Sequence, residues 1–250
     1  MLDFQVRDGI AWLTLQRPAA LNAINRDLAD AFHRRIQELE HRADVRVIVT
    51  RGAGRAFCAG SDLRELAQMS ADQAARNELR FAEVFAALDR LSQPTIAMLH
   101  GHVLGGGMGL AVYHDFRIAS VTASLGMPEV ELGWTPPWSV GRLAEIVGLA
   151  KARWLLLTCS TISGDEAAHI GLVDRAVPED ELESHVQAFA TRLAAMPTEG
   201  IAQTKRLISR MSLLRDFQWD ELASAAFRDC YSTAAAQKRM ADFIRDKTKR

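Results

Sequence analysis

Cysteine is scarce in this 250-residue chain: Cys58, Cys159 and Cys230 stand far apart, and none belongs to a CxxC pair. That spacing excludes a disulfide framework and a thiolate zinc site, and it leaves three small hydrophobes suited to a reducing compartment. Neither sign of charge is in excess. With a net charge of −1 and acids interspersed with bases, the surface exerts no general pull on nucleic acid or on an anionic membrane. No apolar run approaches the ~20 residues needed to span a bilayer, and the opening MLDFQVRDGIAWLTL alternates like a strand rather than like a signal peptide. The GxxxxGK[ST] loop, the GxGxxG fingerprint and the GxSxG elbow are also missing. P-loop, dinucleotide-binding and serine-hydrolase chemistry are therefore set aside. His100 and His102 flank Gly101 with no third ligand evident, so no metal is expected. These absences lead to an expectation of a cytoplasmic protein with no membrane or nucleic-acid partner.

What is present is apolar periodicity. Residues of hydrophobic type make up 48% of the chain, enough for a sizeable core. FQVRDG and IAWLTLQ read as strands meeting at Asp8-Gly9, a hairpin signal. Leu28, Ala31, Phe32, Ile36 and Leu39 recur at helical spacing, which predicts a helix over about 26–41. VRVIVTRG, PTIAMLHG, DFRIAS, ASLGMP and GLVDRAVP follow as short strands, alternating with helical segments such as RLAEIVGLAKARWLLLT. Short strands feeding glycine turns that open helices indicate an α/β protein with parallel pairing. Beyond about Thr191 the pattern is almost wholly helical, with apolar stripes over 197–215 and 219–246. The division expected is a core of 1–195 and a C-terminal helical region of 196–250.

Two glycine turns stand out. In GRAFCAGSDLREL an apolar run ends in Ala59-Gly60 and a helix begins near Asp62; in GHVLGGGMGLAV, Gly105 to Gly107 precede a second helix start. Small residues let the backbone turn sharply and let a ligand approach closely. The first N–H groups of a helix have no partner inside it and carry the positive end of its dipole. Two such junctions in one chain can aim two donors at one developing oxyanion. Phosphate binding is the competing use, and it ranks lower because no phosphate-loop motif is present.

RPAALNAIN, VRVIVTRGAGRAFCAGSDLREL, GHVLGGGMGLAV, DFRIAS, MPEVELG and GLVDRAVPEDEL, in that order, resemble the crotonase superfamily, the enoyl-CoA hydratase/isomerase group, over roughly residues 10–195. The resemblance implies a spiral of ββα units with a C-terminal helical region, and homotrimers that often pair into hexamers. It also implies an acyl-CoA substrate, with coenzyme A entering as part of it and no separate cofactor. The oxyanion donors it implies are the amides of Ser61 and Gly106, the latter following Gly105. Leu21, Ala23, Ala59, Asp62 and Leu63 would lie along the bound thioester, and Phe227 matches an aromatic that reaches the CoA of a neighbouring subunit. Asp62, at a helix start, also suits a cap.

Hydratases of the group use two glutamates. The place of one is Gly109 here; the other is Glu129, in MPEVELG. A lone carboxylate has difficulty both in activating water and in protonating the α-carbon, whereas a double-bond shift needs only one base to shuttle a proton. Burial against apolar walls would raise the Glu129 pKa toward working pH. On these residues enoyl-CoA isomerisation is favoured. Hydration is the nearest alternative, followed by decarboxylation or hydrolysis of a CoA thioester; a non-catalytic or RNA-associated role is disfavoured. Trp138 sits where single-glutamate isomerases carry a Pro-x-Trp, with Trp134 close by; packing and lining the acyl wall are both open to them. Glu131 is a further candidate, while His114 and Asp115 suit a structural role.

Overall fold

The computed structural model describes residues 1–248, with side chains at 210–217, 247 and 248 left out of the description. Ten strands occur among these residues, and they alternate between two sheets. In chain order they are β1 Leu2–Arg7, β2 Ile10–Leu15, β3 Val47–Gly52, β4 Ala56–Cys58, β5 Thr95–Leu99, β6 His102–Leu104, β7 Phe116–Ser120, β8 Ser124–Gly126, β9 Ile162–Ser163 and β10 Arg175–Val177. The larger sheet runs β1-β2-β3-β5-β7-β10 and the smaller β4-β6-β8-β9. The helices are α1 Arg26–Glu40, α2 Leu63–Leu66, α3 Ala71–Ala86, α4 Gly106–Val112, α5 Val140–Thr158, α6 Gly164–His169, α7 Leu182–Ala194, α8 Thr198–Tyr231 and α9 Ala234–Thr248. The pairs β3–β4, β5–β6 and β7–β8 each contribute one strand to each sheet before a helical return, which is the ββα spiral.

Local chemistry sets the elements. Asp8 and Gly9 both take positive φ, the geometry of a tight hairpin turn, and β1 and β2 pair antiparallel across it. The strand pairs β2–β3, β3–β5, β5–β7 and β7–β10 are parallel. Buried on both faces, β2 is apolar at nearly every position, as a parallel sheet interior requires. One face meets the main core, where Phe32, Phe81, Phe85, Leu110 and Tyr113 gather; the other packs against Leu182, Val186 and Ala190 of α7. Asn25 caps α1 and Ser70 caps α3 with a capping box to Gln73.

Two sequence expectations change in detail. The apolar stripes over 197–215 and 219–246 do not mark separate helices: α8 runs from Thr198 to Tyr231 and α9 follows. The helical stretch containing RLAEIVGLAKARWLLLT is interrupted at Gly148, whose φ of 75° and ψ of 155° are not helical. The C-terminal helices lie on the core. Ser224 donates to the Ala75 carbonyl at 3.1 Å, and Lys205 reaches Asp115 at 2.6 Å. No helix among the described residues is long and apolar enough to cross a membrane.

Candidate active site

Strands β4, β6 and β8 are parallel neighbours, so their C-terminal ends lie side by side. From the first end the chain turns at Ala59-Gly60 into α2, from the second at Gly105 into α4, and from the third through Met127-Pro128 into the short 3₁₀ turn Glu129–Leu132. Ligands of open parallel sheets bind beyond this edge for the same reason: loops and helix N-termini converge there. A cavity of about 1340 Å³ lies at this edge, and its wall includes Ser61, Gly106, Glu129, Glu78, Trp138 and Phe227.

The loop RPAALNAIN is fastened to the first turn. Leu21 and Asn22 take left-handed φ of 51° and 56°. The buried Asn22 side chain supports this turn by donating to the Ala53 and Ala56 carbonyls at 2.9 and 2.8 Å. Ala59 N–H donates to the Leu21 carbonyl, Ile24 N–H to that of Gly60 and Asp62 N–H to that of Ile24. Arg17 adds an ion pair to Asp62 at 2.8 Å. Asp62 meanwhile caps α2 by accepting from the Arg64 amide. Leu21, Ala23, Ala59, Asp62 and Leu63 all fall on the cavity wall.

The two glycine turns touch. A Cβ built on Gly60, whose φ is 97°, would lie 3.0 Å from the Leu104 carbonyl oxygen and 3.3 Å from the Gly106 nitrogen. Gly105 takes φ 52° and ψ −125°, backbone open only to glycine, and a Cβ there would lie 2.9 Å from Glu129 Oε1. Neither the Ser61 nor the Gly106 amide donates a hydrogen bond within the described residues. Both residues line the cavity, and the glycines before them leave no room for a side chain at Gly60 or Gly105.

Two buried carboxyls stand beside this peptide. Glu129 is 7% exposed, and its Oε2 has no hydrogen-bond partner within the described residues. Burial pushes its pKa up to about 8, and the nearby Glu78 charge adds to the rise. Glu78, on α3, is 2% exposed. Its Oε2 accepts from the Ser61 hydroxyl at 2.9 Å and from the Trp138 indole N–H at 3.0 Å, while Oε1 is buried and unpartnered. Burial pushes this carboxyl up to about 7, against the pull of the indole and hydroxyl donors. Both groups thus titrate near neutrality, where acid–base catalysis works best.

Trp138 both packs and lines. Its ring stacks near Tyr113 and tilts against Phe85, and it accounts for Gly109: a Cβ built there would fall 2.6 Å from Cη2 of the indole and closer still to Cζ3. Trp134 joins Phe227 and Tyr231 of α8 in an aromatic cluster. Phe227 is buried in that cluster and lines its own chain's cavity. Glu131, exposed, reaches the cavity rim while the 3₁₀ turn carries it away from Glu129. His114 is buried between the Leu110 carbonyl and the Thr50 hydroxyl, and burial pushes its pKa down to about 3, so it is a neutral structural group. Asp115 holds Thr95 and Lys205. The described residues contain no cluster of metal-ligating side chains.

Glu78 is the site residue that sequence reasoning missed. Its signal was nevertheless present, because Ala74, Phe81 and Phe85 place a glutamate on the buried stripe of an amphipathic helix, where an unpaired acid is costly.

Residues 5–249 match the family model described as enoyl-CoA hydratase/isomerase. The chain is 34% identical to the short-chain-enoyl-CoA hydratase of Clostridium acetobutylicum, covering 94% of this chain and 91% of the relative. It is 32% identical to the crotonyl-CoA hydratase of Syntrophomonas wolfei, covering 94% of each. Among solved structures, an enoyl-CoA hydratase/isomerase from Xanthobacter autotrophicus Py2 superposes with a TM-score of 0.89 at 27% identity, covering 98% of this chain and 93% of that one.

Proposed function

The chain belongs to the enoyl-CoA hydratase/isomerase family, and from that premise we propose that it hydrates a 2-enoyl-CoA thioester, ahead of the isomerisation favoured by the sequence. The carrying observation is Glu129: a buried carboxyl whose Oε2 has no partner within the described residues, beside two glycine turns whose Ser61 and Gly106 amides donate no hydrogen bond there. The thioester carbonyl would sit against the Ser61 and Gly106 amides, which gain strength as the oxygen becomes an enolate. Glu129, protonated near neutral pH, faces the α-carbon and delivers its proton there. Leu21, Ala23, Ala59, Asp62, Leu63, Trp134 and Phe227 would line the pantetheine and acyl portions.

Hydration is preferred for two reasons. The relatives named above are called hydratases, and the lone-carboxylate premise no longer applies, because Glu78 shares the cavity. Gly109 is the observation favouring isomerisation. Offering crotonyl-CoA and a 3-enoyl-CoA in turn, and following absorbance of the conjugated thioester, separates the two. Loss of absorbance with crotonyl-CoA is expected; growth of absorbance with the 3-enoyl thioester, and no loss with crotonyl-CoA, would reverse the assignment. The proposal carries with it a homotrimer or homohexamer, which light scattering checks.

A further inference from the structure

We propose that Glu78 is the second catalytic carboxylate of this site, holding and deprotonating the water that adds to the β-carbon, in place of the glutamate the family carries at Gly109. This inference rests on the hydratase reading above.

The exchange is visible in the packing. The space beside Gly109 is filled by the six-membered ring of Trp138, so a glutamate there has no room. The same indole turns its N–H to Glu78 Oε2 at 3.0 Å. α4 bears no carboxylate at Gly109, and one from α3 is held by the residue that fills that space. Ser61 fixes it from the other side: its hydroxyl donates to the same Oε2 at 2.9 Å, while its amide is a proposed oxyanion donor. With both donors on Oε2, Oε1 remains a buried acceptor without a partner within the described residues, on a residue that belongs to the cavity wall. A buried carboxylate oxygen left unpaired costs stability, and holding a reacting water repays that cost in function.

Glu129 and the Ser61–Trp138 pair flank consecutive glycines. A Cβ on Gly105 would meet Glu129 Oε1 at 2.9 Å, and one on Gly106 would meet Trp138 at 3.3 Å and Ser61 Oγ at 3.4 Å. The peptide between these glycines bears the Gly106 N–H, so Glu129 and the two side chains that hold Glu78 are placed about the oxygen that N–H would hold.

Chemically, a water bonded to Glu78 gives it a proton as its oxygen forms the Cβ–O bond. The π pair of Cα=Cβ moves to the thioester, and its oxygen becomes an enolate oxygen against the two amides. The carbonyl re-forms as Cα takes the proton of Glu129. The product has gained H at Cα and OH at Cβ; Glu78 ends protonated and Glu129 ionised, and one proton passing between them through solvent restores the start. Environments that separate two carboxyls into base and acid are a recurring way to run such chemistry.

The test is Glu78→Gln in the full chain, with two readouts. Hydration of crotonyl-CoA is expected to fall about 100-fold or more, with loss of the acidic limb of its pH profile. Deuterium exchange at the α-carbon of butyryl-CoA, which needs Glu129 and the amides but no water addition, is expected to persist, with thioester binding within about twofold of wild type. Glu78→Gln that hydrates at the wild-type rate overturns the proposal. So does a variant that loses exchange and binding together with hydration, since that is a structural role. Wild-type protein that exchanges α-protons but hydrates nothing refutes the hydratase reading itself, and the proposal with it.

Discussion

Replacing Trp138 by phenylalanine keeps an aromatic ring against Phe85 and Tyr113 but removes the only indole donor to Glu78. The carboxyl then retains the Ser61 hydroxyl at 2.9 Å. A hydrogen bond to a charged group contributes about 1.5 kcal/mol or more, close to tenfold in an acid–base equilibrium. The lost donor favoured the ionised form, so its removal raises the Glu78 pKa above its present value of about 7. If ionised Glu78 is the base, the acidic limb of hydration moves to higher pH, and the rate at pH 7 falls about fivefold, because the ionised fraction there drops from about one half to about one eleventh. The basic limb, set by protonated Glu129 near 8, moves much less. The assay is kcat for crotonyl-CoA between pH 5.5 and 9.5, with thioester binding measured alongside. An acidic limb that stays in place, or a rate lowered equally at every pH, would refute the reasoning.

Glu129→Gln should abolish both hydration and α-proton exchange by about 100-fold or more, and it should also alter stability in a pH-dependent way. The folded pKa of about 8 stands above the unfolded value near 4.5, so the contribution of Glu129 to stability is fully present below 4.5 and is lost as pH rises through 8. Urea midpoints should therefore coincide near pH 4.5, and at pH 9 the variant should be more stable by about 1–3 kcal/mol; equal midpoints at both pH values would contradict the burial argument. Gly105→Ala forces a side chain into backbone at φ 52°, ψ −125° and against Glu129. A loss of about 1–3 kcal/mol, with kcat falling more than binding, is expected from urea melts and kinetics. Asp89→Ala takes away the carboxylate that Arg142 holds with bonds of 2.7 and 2.6 Å in the core. Breaking such a pair costs about 3–5 kcal/mol, read as a lower melting temperature by circular dichroism.

The parts of the site legible in sequence share one property: their structure is set by neighbours along the chain. Ala59-Gly60 and Gly105 mark turns because positive φ at Gly60 and Gly105 is a local constraint. The hairpin at Asp8-Gly9, the helix over 26–40 and the strand VIVTRG follow from turn chemistry and periodicity in the same way. Glu129 was found through its motif, although its 3₁₀ turn was not. Glu78 was missed for the opposite reason. Its place on the apolar stripe of ADQAARNELRFAEVFA marks a buried acid, but its place in the site follows only from packing against Trp138, sixty positions away.

The sequence alone determined that two glycine turns open helices after short strands, because the steric freedom of a residue without Cβ is written into its identity. Tertiary structure decided that β4, β6 and β8 lie parallel, so that these turns and Glu129 leave the same edge. It also decided that an indole occupies the space beside Gly109 while holding a carboxyl from another helix. Which side chains share a volume depends on how distant segments pack, and close packing admits only one occupant for each space.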